Sequence, residues 1–87
     1  MNKLFKALDD PTRRRVLELL REGDLNAGEI GAHFGITGAS MSHHLGILLE
    51  AGLVQCAKSG QQRVYSLNTT VFQDVLEWIY SIKGDVK

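Results

Sequence analysis

The side chains best suited to chemistry in this 87-residue chain cluster between residues 40 and 56. Ser40 or Ser42 could act as a nucleophile with His43 or His44 as base, and Cys56 could do so with a histidine. Neither arrangement has an orienting acid at a recognisable spacing, and so short a chain implies no substrate pocket. The adjacent histidines make a poor chelate, because neighbours on a helix point about 100° apart. Enzyme chemistry is therefore the least favoured function, and polar contact with a ligand is favoured instead.

The same residues lie on a predicted helix with one apolar face and one small, polar face. The apolar positions repeat at helical spacing: Met41, Leu45, Leu48 and Leu49. The opposite face carries short side chains without formal charge: Ala39, Ser42, His43 and Gly46. A solvated helix face normally carries Lys, Glu and Arg, so this face suits close approach to another molecule.

A second predicted helix comes just before it. Asn26 can cap that helix, and Glu29 completes a capping-box pair. Its apolar positions are Ala27, Ile30 and Phe34. Gly35 is expected to reverse the chain with a left-handed backbone, and Thr37 to cap the polar-faced helix. Residues 26–53 therefore predict a helix-turn-helix whose second helix enters the major groove of DNA.

The elements around this motif can also be read from the sequence. A short amphipathic helix is predicted over residues 2–8, and a second follows with Asp10 as cap and Pro11 in its first position, ending near Gly23. The buried side of that second helix is Val16, Leu17, Leu19 and Leu20. Alternating residues on both sides of residues 58–61 predict a β-hairpin, or wing.

The last predicted helix is capped by Thr69 or Thr70 and runs to about residue 82. Its apolar positions form two stripes, one with Val71, Val75, Trp78 and Ile82, the other with Phe72, Leu76 and Ile79. The predicted fold is mainly α with an α+β wing: a winged helix-turn-helix of about five helices and a two-stranded hairpin. Residues 1–87 are expected to form a single DNA-binding domain that dimerises.

Charge and composition restrict how such a domain can bind nucleic acid. Ten basic and ten acidic side chains cancel, so attraction to DNA must come from uneven placement. Residues 25–57 contain no Lys or Arg. No apolar run reaches the length of a membrane span, the N-terminus lacks the features of a signal peptide, and a single cysteine excludes an internal disulfide. A cytoplasmic protein is expected.

Several stretches together resemble the ArsR/SmtB family of winged helix-turn-helix repressors. They are ALDDPTRR at residues 7–14, SHHL at 42–45, AGLV at 51–54 and the wing from Gly60 to Leu67. The resemblance covers nearly the whole chain. It implies a homodimeric bacterial transcription regulator that binds a palindromic operator and often controls its own operon.

The chain departs from the metal-sensing members of that family. One family site uses a cysteine-rich motif before the recognition helix, where residues 24–29 here offer no thiolate. Another uses carboxylates and histidines on the last helix, where this chain has Thr69, Val71, Ile82 and Asp85. Zinc and related ions need about four nitrogen, sulfur or oxygen donors. The chain therefore resembles a metal-independent branch, and no cofactor or metal is expected.

Some polar residues are expected to contact DNA, and others to have only a structural role. The expected DNA contacts are Thr37, Gly38, Ala39, Ser40, Ser42, His43, Lys58 and Arg63. The alternative for His43 and Arg63 is a solvated surface residue. Arg13 is expected to brace the fold against an acidic group, and His44 to be packed and hydrogen-bonded. Cys56 is expected to be a small buried side chain, with redox sensing as the minority interpretation.

Dimerisation is expected through the first and last helices. The interface positions are Leu4, Phe5, Leu8, Val71, Phe72, Val75, Trp78, Ile79 and Ile82. The partners are then double-stranded DNA and a second copy of the chain, with a protein or small-molecule effector left open. The alternative function is a winged-helix module that binds proteins and has lost DNA binding.

Overall fold

The computed structural model describes residues 1–84 of the chain. Its elements in order are α1 (Asn2–Leu8), α2 (Pro11–Arg21), β1 (Leu25–Asn26), α3 (Ala27–Gly31), α4 (Gly38–Glu50), β2 (Val54–Ser59), β3 (Gln62–Leu67) and α5 (Thr69–Lys83). The five helices and the β2–β3 hairpin confirm the predicted winged helix-turn-helix. None of the helices in this stretch has the length and apolar character needed to cross a membrane.

The sheet has one strand more than the predicted hairpin. Its order is β1-β3-β2, and both pairings are antiparallel. Leu25 pairs with Tyr65 and Asn26 with Val64. Two residues are too short for alternation to be visible in sequence, so only the fold reveals β1. This strand fixes the wing to the start of α3.

Side-chain caps begin three of the helices as predicted. Asp10 Oδ1 accepts the Arg13 N–H at 3.1 Å, directly before Pro11. Asn26 and Glu29 form a reciprocal capping box with bonds of 2.8 and 2.9 Å. Thr37 Oγ1 accepts the Ser40 N–H at 3.1 Å, which fixes the start of α4.

The predicted cap of α5 is wrong. Asn68 is the N-cap residue and makes no side-chain cap bond, and Thr69 is already helical. The Asn68 N–H donates to the Leu53 carbonyl at 3.0 Å. This bond to the residue before β2 holds Asn68 in extended backbone, so the helix starts directly after it.

The turn between α3 and α4 differs from the expected glycine reversal. The α3 helix ends at Gly31, so Phe34 lies in the turn, half-buried against the core. Gly35 does not have a positive φ. Instead, the His33 N–H donates to the Ile30 carbonyl and the Phe34 N–H to the Gly31 carbonyl. Each bond spans three residues, and together they turn the chain. The left-handed Gly35 was therefore a wrong prediction.

The core lies between α1, α2, α4 and the inner face of the sheet. Its buried members are Leu4, Ala7, Val16, Leu17, Leu20, Ile30, Met41, Leu45, Leu48, Leu53, Val54 and Tyr65. The predicted apolar sides of α2 and α4 are confirmed by this list and by buried Leu19, except that Leu49 is only half-buried against the core. Helix α5 has no buried residue and only rests on this core.

Candidate nucleic-acid interface

The polar face of α4 is open to solvent, as the sequence predicts. Ala39, Ser42, His43 and Gly46 are all exposed. Met41, Leu45 and Leu48 on the other face are 3%, 2% and 0% exposed. A helix that is anchored in the core on one side and carries short side chains on the other can lie deep in a DNA groove.

The first turn of α4 offers backbone donors on the same side. The Ser40 N–H is used by Thr37 Oγ1 and the Met41 N–H by the Thr37 carbonyl. Within residues 1–84, the amides of Gly38 and Ala39 have no protein acceptor. Amide groups at a helix N-terminus are suited to bind a phosphate.

Glu50, at the end of α4, was not among the residues predicted for this face. Its position, seven residues after His43, puts both side chains on one side of the helix. The helical spacing alone could have identified it. Lys3 Nζ lies 3.2 Å from Glu50 Oε1, so α1 supplies the counter-charge.

Arg13 connects α2 to α1 and to α4. Its Nε donates to the Ala7 carbonyl at 2.8 Å and its Nη2 to the Lys6 carbonyl at 3.1 Å. Its Nη1 lies 3.1 Å from His44 Nδ1. A guanidinium can only donate, so Nδ1 accepts and any proton of a neutral His44 ring is on Nε2.

The expectations for these two residues are largely confirmed. Arg13 is buried, with 8% of its surface exposed, and it braces the fold. The expected acidic partner is wrong, since the guanidinium bonds are to carbonyls and an imidazole. The carbonyls at the end of α1 carry partial negative charge and can take this role. His44 is half-buried and hydrogen-bonded, as predicted.

The wing presents two cations beside its turn. Lys58 and Arg63 are a cross-strand pair, and both are exposed. Gly60 is the first of two loop residues and has a φ of 62°, as a type II′ hairpin requires. Asn26 Nδ2 donates to Gln62 Oε1 at 3.2 Å, which links the wing to the cap of α3.

Cys56 lies at the base of the wing and is half-buried. It pairs across the strands with Tyr65, which is 7% exposed. Burial, and then the neighbouring Cys56 thiol, raise the pKa of Tyr65. The thiol therefore faces the inner side of the sheet, in line with the predicted structural role.

The residues expected at a dimer interface fall into two groups. Leu4 is buried inside the protomer, and Leu8, Val71, Phe72 and Val75 are half-buried against its core. These side chains have limited surface left for a partner. The exposed members are Phe5, Trp78, Ile79 and Ile82, and the sequence list omitted the equally exposed Met1, Leu76 and Tyr80.

The exposed members lie on two helices, Phe5 on α1 and Trp78, Ile79 and Ile82 on α5. The rings of Phe5 and Trp78 have centroids 5.5 Å apart. Ile82 is 66% exposed one turn further along α5. Large exposed apolar surface on a small protein usually marks an interaction site.

Metal ligands do not gather within residues 1–84: no three His, Cys, Asp or Glu side chains are placed to hold an ion together. Of the last-helix positions singled out by sequence, Thr69, Val71 and Ile82 carry no carboxylate or imidazole. Asp85 lies outside the described residues. Independence from metal stays a prediction.

The chain is similar to known proteins both in sequence and in fold. Residues 10–55 match the family described as "Bacterial regulatory protein, arsR family". The chain is 51% identical over 87 residues to the transcriptional repressor SdpR of Bacillus subtilis (strain 168), covering 98% of this chain and 97% of that protein. It is 31% identical over 77 residues to an arsenical resistance operon repressor of Staphylococcus aureus, covering 88% and 74%.

A similar fold is found among solved structures. The crystal structure of an ArsR family transcriptional regulator superposes with a TM-score of 0.87 at 30% identity. The match covers 94% of this chain and 84% of that one. The α4 helix, its preceding turn and the wing thus lie in a known regulatory fold.

Proposed function

Since the chain belongs to the arsR family of bacterial regulatory proteins, we propose that it is a homodimeric repressor that binds a palindromic operator without a metal effector. The observation that carries this is the exposed, short-chained face of α4 opposite its fully buried stripe. The B. subtilis relative is named a transcriptional repressor, which supports repression over activation. Control of its own gene is part of the proposal. The protein would act in the cytoplasm and not as an enzyme.

Each half-site would be contacted by α4 and by the wing. The amides of Gly38 and Ala39 would bind a phosphate. The Thr37 cap, through its bond from the Ser40 N–H, holds these amides in place. Ser42 and His43 would reach base edges in the major groove. Lys58 and Arg63, which bear the charge of the wing, would bind the flanking backbone.

The whole chain, residues 1–87, would form one domain that dimerises through α1 and α5. The exposed apolar surface around Phe5, Trp78 and Ile82 supports this pairing. A twofold axis there would place two α4 helices about one DNA turn apart, roughly 34 Å, which matches a palindrome. Derepression would then require a protein partner, a small molecule or a fall in repressor concentration.

Electrophoretic retardation of the DNA upstream of its own gene tests the proposal directly. We expect a discrete complex that survives a large excess of random-sequence DNA. Scrambling one half of the palindrome should weaken the complex sharply. Failure to retard this DNA, together with a stable complex with another protein, would support the alternative of a protein-interaction module.

A further inference from the structure

The helix-turn-helix has an electrostatic deficit for a DNA-binding segment. Residues 25–57 carry no Lys or Arg, and their acidic residues are Glu29 and Glu50. Glu29 faces the α3 cap, where it accepts the Asn26 N–H at 2.9 Å. Glu50 is exposed on the same side of α4 as His43, the side that the proposed function places toward DNA. Phosphate contacts dominate affinity for DNA, so neighbouring elements have to provide the cations.

Helix α1 compensates this deficit at the C-terminal end of α4. The Lys3–Glu50 ion pair, at 3.2 Å, offsets the carboxylate without burying either side chain. One turn along α1, Lys6 makes no ion pair within residues 1–84 and is exposed. Its charge is therefore available to a ligand.

Lys6 opens onto a cleft that it shares with the recognition helix. The cleft has a volume of about 310 Å³ and is lined by Lys3, Lys6, His43, Ile47 and Glu50. His43, the residue that we expect to reach a base edge, thus forms the opposite wall. With Glu50 offset by Lys3, the net formal charge of this lining is +1 because of Lys6.

The Arg13 guanidinium ties the backbone at Lys6 to α4. Its Nη2 donates to the Lys6 carbonyl at 3.1 Å. Its Nη1 donates to Nδ1 of His44, the residue next to His43. Its bond to Ala7 at 2.8 Å secures the last turn of α1. A cation on this turn therefore moves with the recognition helix when it docks.

We propose that the α1–α4 cleft is a further DNA-backbone site, in which Lys6 binds a phosphate alongside the groove that His43 enters. This inference rests on the proposed DNA-binding function and adds a contact from an element outside the helix-turn-helix and the wing. Each protomer then anchors its recognition helix at three places: the α4 N-terminus, the wing and Lys6. Because the charges of Lys3 and Glu50 cancel, this pair adds no net attraction for phosphate at this end of α4.

The salt dependence of operator binding tests the site. Lys6→Ala should make the slope of log K against log salt shallower by about 0.9 per protomer, or about 1.8 per dimer, since one phosphate contact is lost from each. Lys6→Arg should restore the slope. Arg21→Ala is the matched control: Arg21 is exposed at the end of α2, outside the cleft, and its loss should change the slope far less.

A second variant acts in the opposite direction. Glu50→Gln releases Lys3 and removes the carboxylate, so the slope should become steeper and binding to random DNA tighter. If Lys6→Ala and Arg21→Ala change the slope equally, the cleft is not a phosphate site although the protein still binds its operator. If the wild-type protein shows no operator binding, the proposed function fails and this site fails with it.

Discussion

The guanidinium of Arg13 is buried with three hydrogen-bond partners, none of which is a carboxylate. Arg13→Met would leave the Ala7 carbonyl and His44 Nδ1 without a donor, whereas the Lys6 carbonyl would keep its bond from the Asp9 N–H at 3.2 Å. Unsatisfied buried groups cost roughly 1–3 kcal/mol each, so we expect the free energy of unfolding to fall by about 3 kcal/mol.

Urea denaturation measures this loss, and Arg14→Met is the matched control. Arg14 donates one exposed bond to the Leu8 carbonyl, so its replacement should cost well under about 1 kcal/mol. Equal losses for the two variants would contradict a special role for Arg13.

Asp10 provides a pH-dependent contribution to stability. The N–H bond from Arg13, the largest effect, holds the pKa of Asp10 below its ordinary value of 3.8. Because the folded-state pKa is lowered, the stabilisation is present above pH 3.8 and is lost as the pH falls through the folded value.

Asp10→Ala should lower the free energy of unfolding by about 1 kcal/mol at neutral pH, through loss of the cap. Asp10→Asn keeps a capping oxygen, so it should retain most of the stability at pH 7 and weaken the loss on acidification. Thermal unfolding of both variants between pH 3 and pH 7 separates the two effects.

For the helices and strands, the features that could be predicted were those set by residues close together in the sequence. Asp10, Asn26 and Thr37 act on residues three positions away, so their caps are visible without the fold. The same holds for the exposed face of α4, which follows from helical spacing. Features that depend on distant partners were missed: β1 is a strand only because it pairs with β3 at Tyr65, and the Lys3–Glu50 ion pair exists only because α1 packs beside α4.

The recognition helix and the wing should differ in what their loss does to DNA binding. His43→Ala and Ser42→Ala should reduce discrimination between operator and random DNA, by roughly 1–3 kcal/mol per good base contact. Arg63→Ala should weaken both kinds of DNA alike and flatten the salt dependence, because a phosphate contact carries no sequence information.

Fluorescence anisotropy with operator and scrambled duplexes at several salt concentrations measures both quantities. An unchanged operator preference in His43→Ala, combined with its loss in Arg63→Ala, would reverse the two assignments. Gln61→Ala, at the wing turn and without charge, controls for disturbance of the hairpin.

For the whole molecule, the apolar surface of α5 predicts a stable dimer at micromolar concentration. Trp78→Ala should raise the dimer dissociation constant roughly 30-fold, since buried aromatic anchors contribute about 2 kcal/mol or more. Glu77→Ala, on the polar side of α5, should leave it unchanged. Sedimentation equilibrium measures both, and a monomeric wild-type protein would remove the basis for palindrome binding.

Operator affinity should not respond to metals. A regulatory zinc, cadmium, nickel or arsenic site needs several thiolate, imidazole or carboxylate donors, and Cys56 is the one thiol of the chain. That thiol is half-buried against Tyr65, at the base of the wing. Titration of the operator complex with each ion in modest excess over protein should therefore leave its anisotropy unchanged. Cys56→Ala tests for adventitious binding by the thiol. If one zinc per protomer released DNA from both the wild-type protein and Cys56→Ala, other donors, such as Asp85, would have to complete a metal site.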